Sequence, residues 1–187
     1  MEDSKLALFM LLGKTAENTI TEIPTLAPSQ PLLISASYDL ATLMPQEVKE
    51  SFMAAEAYKL FFVFEQYLRA IVSEILTGSN PSNWWDEMPN DVQEEVAKLE
   101  ETEEIKSWMA LGSRDRFSLM TYPQLVRVIE HCWKPHFEEI IRDKGLIHEA
   151  RLIAHLRNRI CHMSPISSEE MERIRQTIRD WFRMVAP

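Results

Sequence analysis

Toward its C-terminal end the chain reads His155-Leu-Arg-Asn-Arg-Ile-Cys-His-Met-Ser164, followed by Pro165. Six of these residues hold a fixed cation (Arg157), an amide (Asn158) and a proton-carrying imidazole (His162). A guanidinium keeps its charge and matches phosphate oxygens geometrically. An imidazole gains and loses a proton near neutrality. Together they could cut an RNA phosphodiester. The plain alternative is a solvated helix end before a Ser-Pro stop.

Helical geometry decides where these groups can point. At about 100° per residue, Ala150, Ile153, Ile160 and Cys161 fall within about 60° of Arg157, which puts its guanidinium near the middle of an apolar stripe. His148, Arg151, His155, Asn158 and His162 recur at spacings of three and four and form a second, polar stripe. An arginine on an apolar stripe cannot shed its charge, so it needs a partner or a wet crevice. A matching acid exists. In the helical pattern from Gln46 to Thr77, Glu65 lies among Tyr58, Phe61, Phe62, Leu68 and Val72, with Arg69 one turn on. A lone buried charge costs several kcal/mol, so Glu65 is expected to contact Arg157 or Arg69. That contact reads either as a structural ion pair or as the orientation of Arg157 within a site, and both readings stay open.

Other chemistries find no support in the sequence. Cys132 and His136 are one turn apart, but Pro135 lies between them and no third or fourth ligand is close in sequence, so neither a metal nor a cofactor is expected. There is no Gly-rich phosphate loop and no Gly-x-Ser-x-Gly elbow.

Composition narrows the class. A chain of 187 residues has room for one domain with a real core and an arm, and its 45% hydrophobic and 26% charged shares suit a soluble globular protein. Two cysteines cannot make a disulfide framework, which points to a reducing compartment. No apolar run can span a bilayer, and Leu6–Leu12 follows an acidic start without a cleavage site, so a cytoplasmic protein with no membrane partner is expected. The net charge of −9 argues against indiscriminate binding to nucleic acid, and nothing signals DNA. The charge is uneven, however. Of 20 basic and 29 acidic residues, 7 and 19 fall in residues 1–113 (−12), and 13 and 10 in residues 114–187 (+3). A polyanion would dock on the C-terminal part.

The elements that must position these residues read as helices. Leu6 to about Glu17 predicts a short helix, and Thr21–Ser37, with three prolines, an extended arm. Gln46–Thr77 predicts one long helix or two abutting ones, closed by Gly78-Ser-Asn-Pro81. Asn90 to about Met109 predicts an acidic helix with apolar positions at Val92, Val96, Leu99, Ile105 and Trp108. Tyr122–Asp143 opens with Thr121 and Pro123 and carries a potential kink at Pro135. Ile147 to about Met163 comes next, and Ser167-Ser-Glu-Glu170 is a capping box for a last helix ending near Val185. No alternating strand pattern persists. The expected fold is an all-α bundle of four to five main helices, with residues 1–44 as a short helix and Pro-containing arm and residues 45–187 as the helical domain.

Arg157-Asn-Arg-Ile-Cys-His162 resembles the Arg-x4-His signature of HEPN domains, including the polar residue that follows the Arg. Phe64–Val72, "FEQYLRAIV", is similar to the acidic first core helix of many members. Phe117 to the end looks most like the HEPN type attached to nuclear RNA-surveillance endonucleases and to bacterial defence proteins. The resemblance covers roughly residues 45–187. It implies a HEPN-like bundle and a homodimer whose two motifs meet in a cleft, where many members cut RNA without metal. On that resemblance the protein would be a metal-independent endoribonuclease in defence or RNA turnover, with Arg157, Asn158 and His162 as its catalytic set. His162 would serve as general base or acid, Arg157 would stabilise the charge growing on the phosphoryl oxygens, and Asn158 would fix the ring or hold an oxygen. Glu65, Arg69, Arg151, His155 and Arg159 would orient the site or bind substrate, and an unknown regulatory protein is a possible further partner. Arg157 and His162 lie about 140° apart on an ideal helix, so they converge only if the helix unwinds near Ser164-Pro165 or two copies face each other. Members paired with nucleotidyltransferase antitoxins carry a Tyr where this chain has Ser164, so that partnership is not expected. The alternatives are a catalytically silent HEPN module that binds RNA or a protein partner, and a plain assembly domain whose Glu65–Arg157 pair is only structural.

Overall fold

A computed structural model describes residues 12–14, 31–105 and 115–185. Of the expected N-terminal helix only residues 12–14, which are helical, are among them; the rest of it, most of the proline-containing arm and Trp108 lie outside. The chain forms two compact units, residues 1–53 and 54–187. In the first, β1 (Leu33–Ser35) pairs antiparallel with β2 (Tyr38–Asp39), a small hairpin that the sequence pattern did not signal. Asp39 Oδ1 accepts from the backbone N–H groups of Leu32 and Ala41 and so caps the short helix α1 (Leu40–Leu43).

The long helix is one element, not two: α2 runs from Pro45 to Ser79 without a break. No Gly or Pro interrupts it between Gln46 and Thr77, and the good helix formers Glu, Ala and Leu recur along it. In the second unit its buried residues are Ala57, Phe61, Phe64, Leu68, Val72 and Leu76, a row with spacings of three and four. Phe64 packs edge-on against Trp181 at 5.5 Å and Tyr67 meets Phe182 at 4.7 Å, which joins α2 to α8 (Ser168–Val185). Phe61 and Phe64 meet Tyr122 at 5.5 and 5.8 Å, which joins it to α5 (Tyr122–His131). Each such fully buried side chain contributes about 1.5–3 kcal/mol of transfer free energy.

The acidic helix α3 (Asn90–Ile105) buries Val92 and Val96 and is tied to α5 by charge. Arg127 pairs with Asp91 and, at 2.7 Å, with Glu95, which also accepts from Gln124 Nε2 at 2.6 Å. The short helix α4 (Arg116–Leu119) sets Phe117 in a stack on Trp84 at 4.1 Å. Proline stops α5 earlier than its apolar pattern predicts. Cys132 caps it, a wide turn over Trp133–Phe137 carries Pro135, and Phe137 and Ile141 return to the core. Among the described residues the second unit is all-α, as expected.

Candidate active site

The motif lies on a short helix made by a break. The single helix expected from Ile147 to Met163 is two: α6 (Lys144–Leu152) and α7 (Ala154–Cys161), separated at Ile153. Ile153 is fully buried and anchors the break in the core. The Tyr122 hydroxyl donates to Ala150 O at 2.7 Å and pins α6 to α5 just before it. Burial pushes the Tyr122 phenol far up, with the nearby Glu65 charge adding to the effect, so this donor stays protonated. The break leaves Leu152 O without a helical partner, and His155 Nδ1 donates to it. His155 is therefore used locally, at the start of α7.

The far end of α7 stops abruptly. His162 is the C-cap, and Met163 follows in the left-handed region at φ 57°. The N–H of Met163 donates to Ile160 O and that of Ser164 to Arg159 O, a Schellman closure that satisfies the last carbonyls. Arg159 then clamps the turn. It pairs with Glu170 and donates to Pro165 O at 2.7 Å, while Glu170 closes the expected capping box with Ser167 at 2.9 and 3.2 Å. The Ser167 backbone bond holds the Glu170 carboxyl below the usual carboxylate range, against burial and with help from the Ser167 hydroxyl and Arg159. The helix thus unwinds at Met163, directly before Ser164-Pro165.

Shifting the phase at Ile153 changes which faces are buried. Leu156 and Ile160 carry the core contacts of α7, whereas Cys161 is exposed and the Arg157 side chain is 24% exposed. Arg157 is at the edge of the apolar face, not its centre. The expected contact with Glu65 is present. Glu65, 16% exposed, accepts from Arg157 Nη2 at 3.3 Å and from Arg69 Nη2 at 2.9 Å. The two arginines differ sharply in what else they do. Arg69 also donates to Phe117 O at 2.8 Å and to Met120 O at 2.9 Å, closing the end of α4. Arg157 has its single long bond, and its remaining donors have no partner among the described residues.

Those donors border a cavity of about 200 Å³ lined by Tyr58, Phe61, Phe62, Glu65, Gln66, Arg157, Ile160 and Cys161. Asn158 and His162 do not line it; both are exposed, and their side chains have no polar partner among the described residues. A separate cavity of about 190 Å³ is lined by His155, Leu156, Glu169, Glu170 and Arg173. Arg151 is exposed and pairs loosely with Glu130 at 3.3 Å. The structure therefore joins Glu65, Arg69 and Arg157, and leaves Asn158 and His162 adjacent to them but facing elsewhere. Among the described residues no group of His, Cys, Asp and Glu could hold a metal; His136 Nε2 meets Glu87 Oε2 at 2.5 Å instead. Sequence reasoning missed Gln66 and the exposure of Tyr58 and Phe62, because the wheel assigns those rings to the buried stripe.

The second unit is thus a helical bundle in which Glu65 holds Arg157 on a late helix and the exposed His162 caps that helix. The family model for Swt1-like HEPN matches residues 59–186, and the chain belongs to that family. No curated protein and no solved structure matches it. HEPN domains in general serve RNA cleavage or RNA binding. Among the described residues no helix is long and apolar enough to cross a membrane.

Proposed function

We propose that the protein is a metal-independent endoribonuclease, active as a homodimer, with Arg157, Asn158 and His162 of two copies forming one cleft. The observation that carries this reading is the asymmetry of the two arginines on Glu65. Arg69 spends its donors on backbone, while Arg157 is braced by one bond and keeps the rest of its fork free beside a cavity. A guanidinium in that state is ready for a phosphoryl oxygen. Membership in the HEPN family supports RNA as the class of substrate.

In the proposed reaction the 2′-hydroxyl gives its proton to one His162, and its oxygen attacks the adjacent phosphorus. The bond to the 5′-oxygen breaks, and that oxygen takes a proton from the imidazolium of the other copy's His162. The products are a 2′,3′-cyclic phosphate and a 5′-hydroxyl, and no metal or co-reactant enters the balance. Arg157 stabilises the charge on the non-bridging oxygens in a half-buried setting where such a contact is strong. Asn158 holds a phosphate oxygen or the ring. The dimer answers the geometry, since within one copy His162 does not share the cavity of Arg157.

That same separation is the specific observation favouring a second reading, a silent module that binds RNA through Arg157 without cutting it. Incubation of the protein with single-stranded RNA in excess chelator distinguishes the two. Fragments ending in 2′,3′-cyclic phosphate support the enzyme. Retention of intact RNA on the protein, with no fragments at any pH between 5 and 9, supports the silent module. A partner in regulation, a cytoplasmic setting and a role in defence or RNA turnover belong to the same proposal.

A further inference from the structure

We infer that the cavity beside Arg157 is a nucleobase site, which takes one unpaired base of the RNA next to the phosphate that Arg157 holds. The inference rests on the proposed RNA-directed function and adds what the strand offers besides its phosphates. Three features of the cavity carry it. Its volume of about 200 Å³ admits a single base and is too small for a base pair. One wall holds the rings of Tyr58 and Phe62, one turn apart on α2 with centroids at 6.2 Å, exposed by 55% and 53%. Two large rings left half in water side by side are platforms on which a base can stack.

The third feature is polar. The side chain of Gln66, on the rim, has no hydrogen-bond partner among the described residues. An amide carries both donors and an acceptor, which is what the edge of a base requires. Each oxygen of Glu65 already accepts from one arginine, which leaves Gln66 as the lining amide with no partner among the described residues. The arrangement is therefore a cation for phosphate at one side, a stacking wall at another and a free amide at the rim. A base paired in a duplex cannot enter, so the site selects single strands and gives them a base preference at one position.

Binding of 2′-O-methyl RNA, which cannot be cut, tests the inference apart from catalysis. One abasic residue is moved along a short strand, and affinity is measured for the wild type and for Tyr58→Ala/Phe62→Ala. In the wild type one abasic position should weaken binding roughly tenfold, as expected for one lost stacked base, and in the double variant that position should no longer matter. Gln66→Leu should alter which base is preferred there and leave the stacking loss in place. Wild-type protein that cuts or binds RNA but responds equally to every abasic position overturns the base site and leaves the RNA function standing. If the wild type binds none of the strands, both fall. A double variant that binds RNA unchanged but dissociates in light scattering assigns the rings to contact between copies, which also overturns the base site.

Discussion

Removing the Glu65 carboxylate tests whether Arg157 is held for structure or for chemistry. In Glu65→Ala both arginines lose an acceptor, but unequally. Arg69, 14% exposed, keeps its bonds to Phe117 O and Met120 O. Arg157, 24% exposed, loses its only bond, which is long at 3.3 Å, and can turn to water. Breaking a fully buried pair costs about 3–5 kcal/mol. With two carbonyls retained on one arginine and water reaching the other, about 2 kcal/mol is expected here. At about 2–4 °C per kcal/mol for a chain of this size, the Tm should fall by about 4–8 °C. Double-mutant cycles by urea unfolding separate the partners. Coupling of Glu65 to Arg69 should be about 1–2 kcal/mol and coupling to Arg157 below about 0.7 kcal/mol, so Arg157→Ala leaves stability nearly intact. If the Arg157 coupling is the larger one, Arg157 is a structural ion-pair partner and the reasoning from its free donors fails.

Met163 is a non-glycine residue at φ 57° and 91% exposed, so Met163→Gly should stabilise the protein by about 0.5–1 kcal/mol in urea unfolding; a loss of stability would show that the side chain matters to the turn. Because the Glu170 carboxyl is held below its ordinary value, its contribution is complete above the unfolded-state value near ~4.3 and is lost as the pH falls through the lower folded-state value. The Tm of the wild type should accordingly drop more steeply between pH 5 and 3 than that of Glu170→Gln, which keeps the capping geometry but cannot titrate. Equal slopes would deny Glu170 that role. Burial pushes the Cys132 thiol up to about 11, whereas Cys161 is exposed. A thiol reagent at pH 8 should label Cys161 alone, with Cys132 reacting only after unfolding, as read by mass spectrometry.

The helical class and the pairing of Glu65 with an arginine were legible because both follow from periodicity. Apolar residues at spacings of three and four fix the rows of α2, α5 and α8, and a charge within such a row requires an answer nearby. The hairpin at Leu33–Asp39 escaped notice because its two strands are three and two residues long, too short for alternation to register. The break at Ile153 was hidden for a different reason. Neither Gly nor Pro marks it; tertiary burial of Ile153 and the His155 bond to Leu152 O make it, and one wheel drawn across both segments misplaced Arg157 and Cys161. The end of the helix was expected at about Met163, and the left-handed residue that closes it is Met163 itself, a type that rarely signals a stop. In the proposed dimer, which copy's His162 would meet which Arg157 depends on surfaces that periodicity within one chain does not encode.

The central claim is that Arg157 and His162 act on RNA together, without metal. Cleavage of single-stranded RNA in chelator, measured for wild type, Arg157→Ala and His162→Ala beside their melting curves, tests it most directly. The wild type should give 2′,3′-cyclic products, and His162→Ala should lose roughly a hundred- to ten-thousandfold in rate. Arg157→Ala should lose rate similarly, with Tm values within about 3 °C of wild type in both, because neither side chain is buried in the core. Undiminished cleavage by either variant, or cleavage that chelator stops, would contradict it.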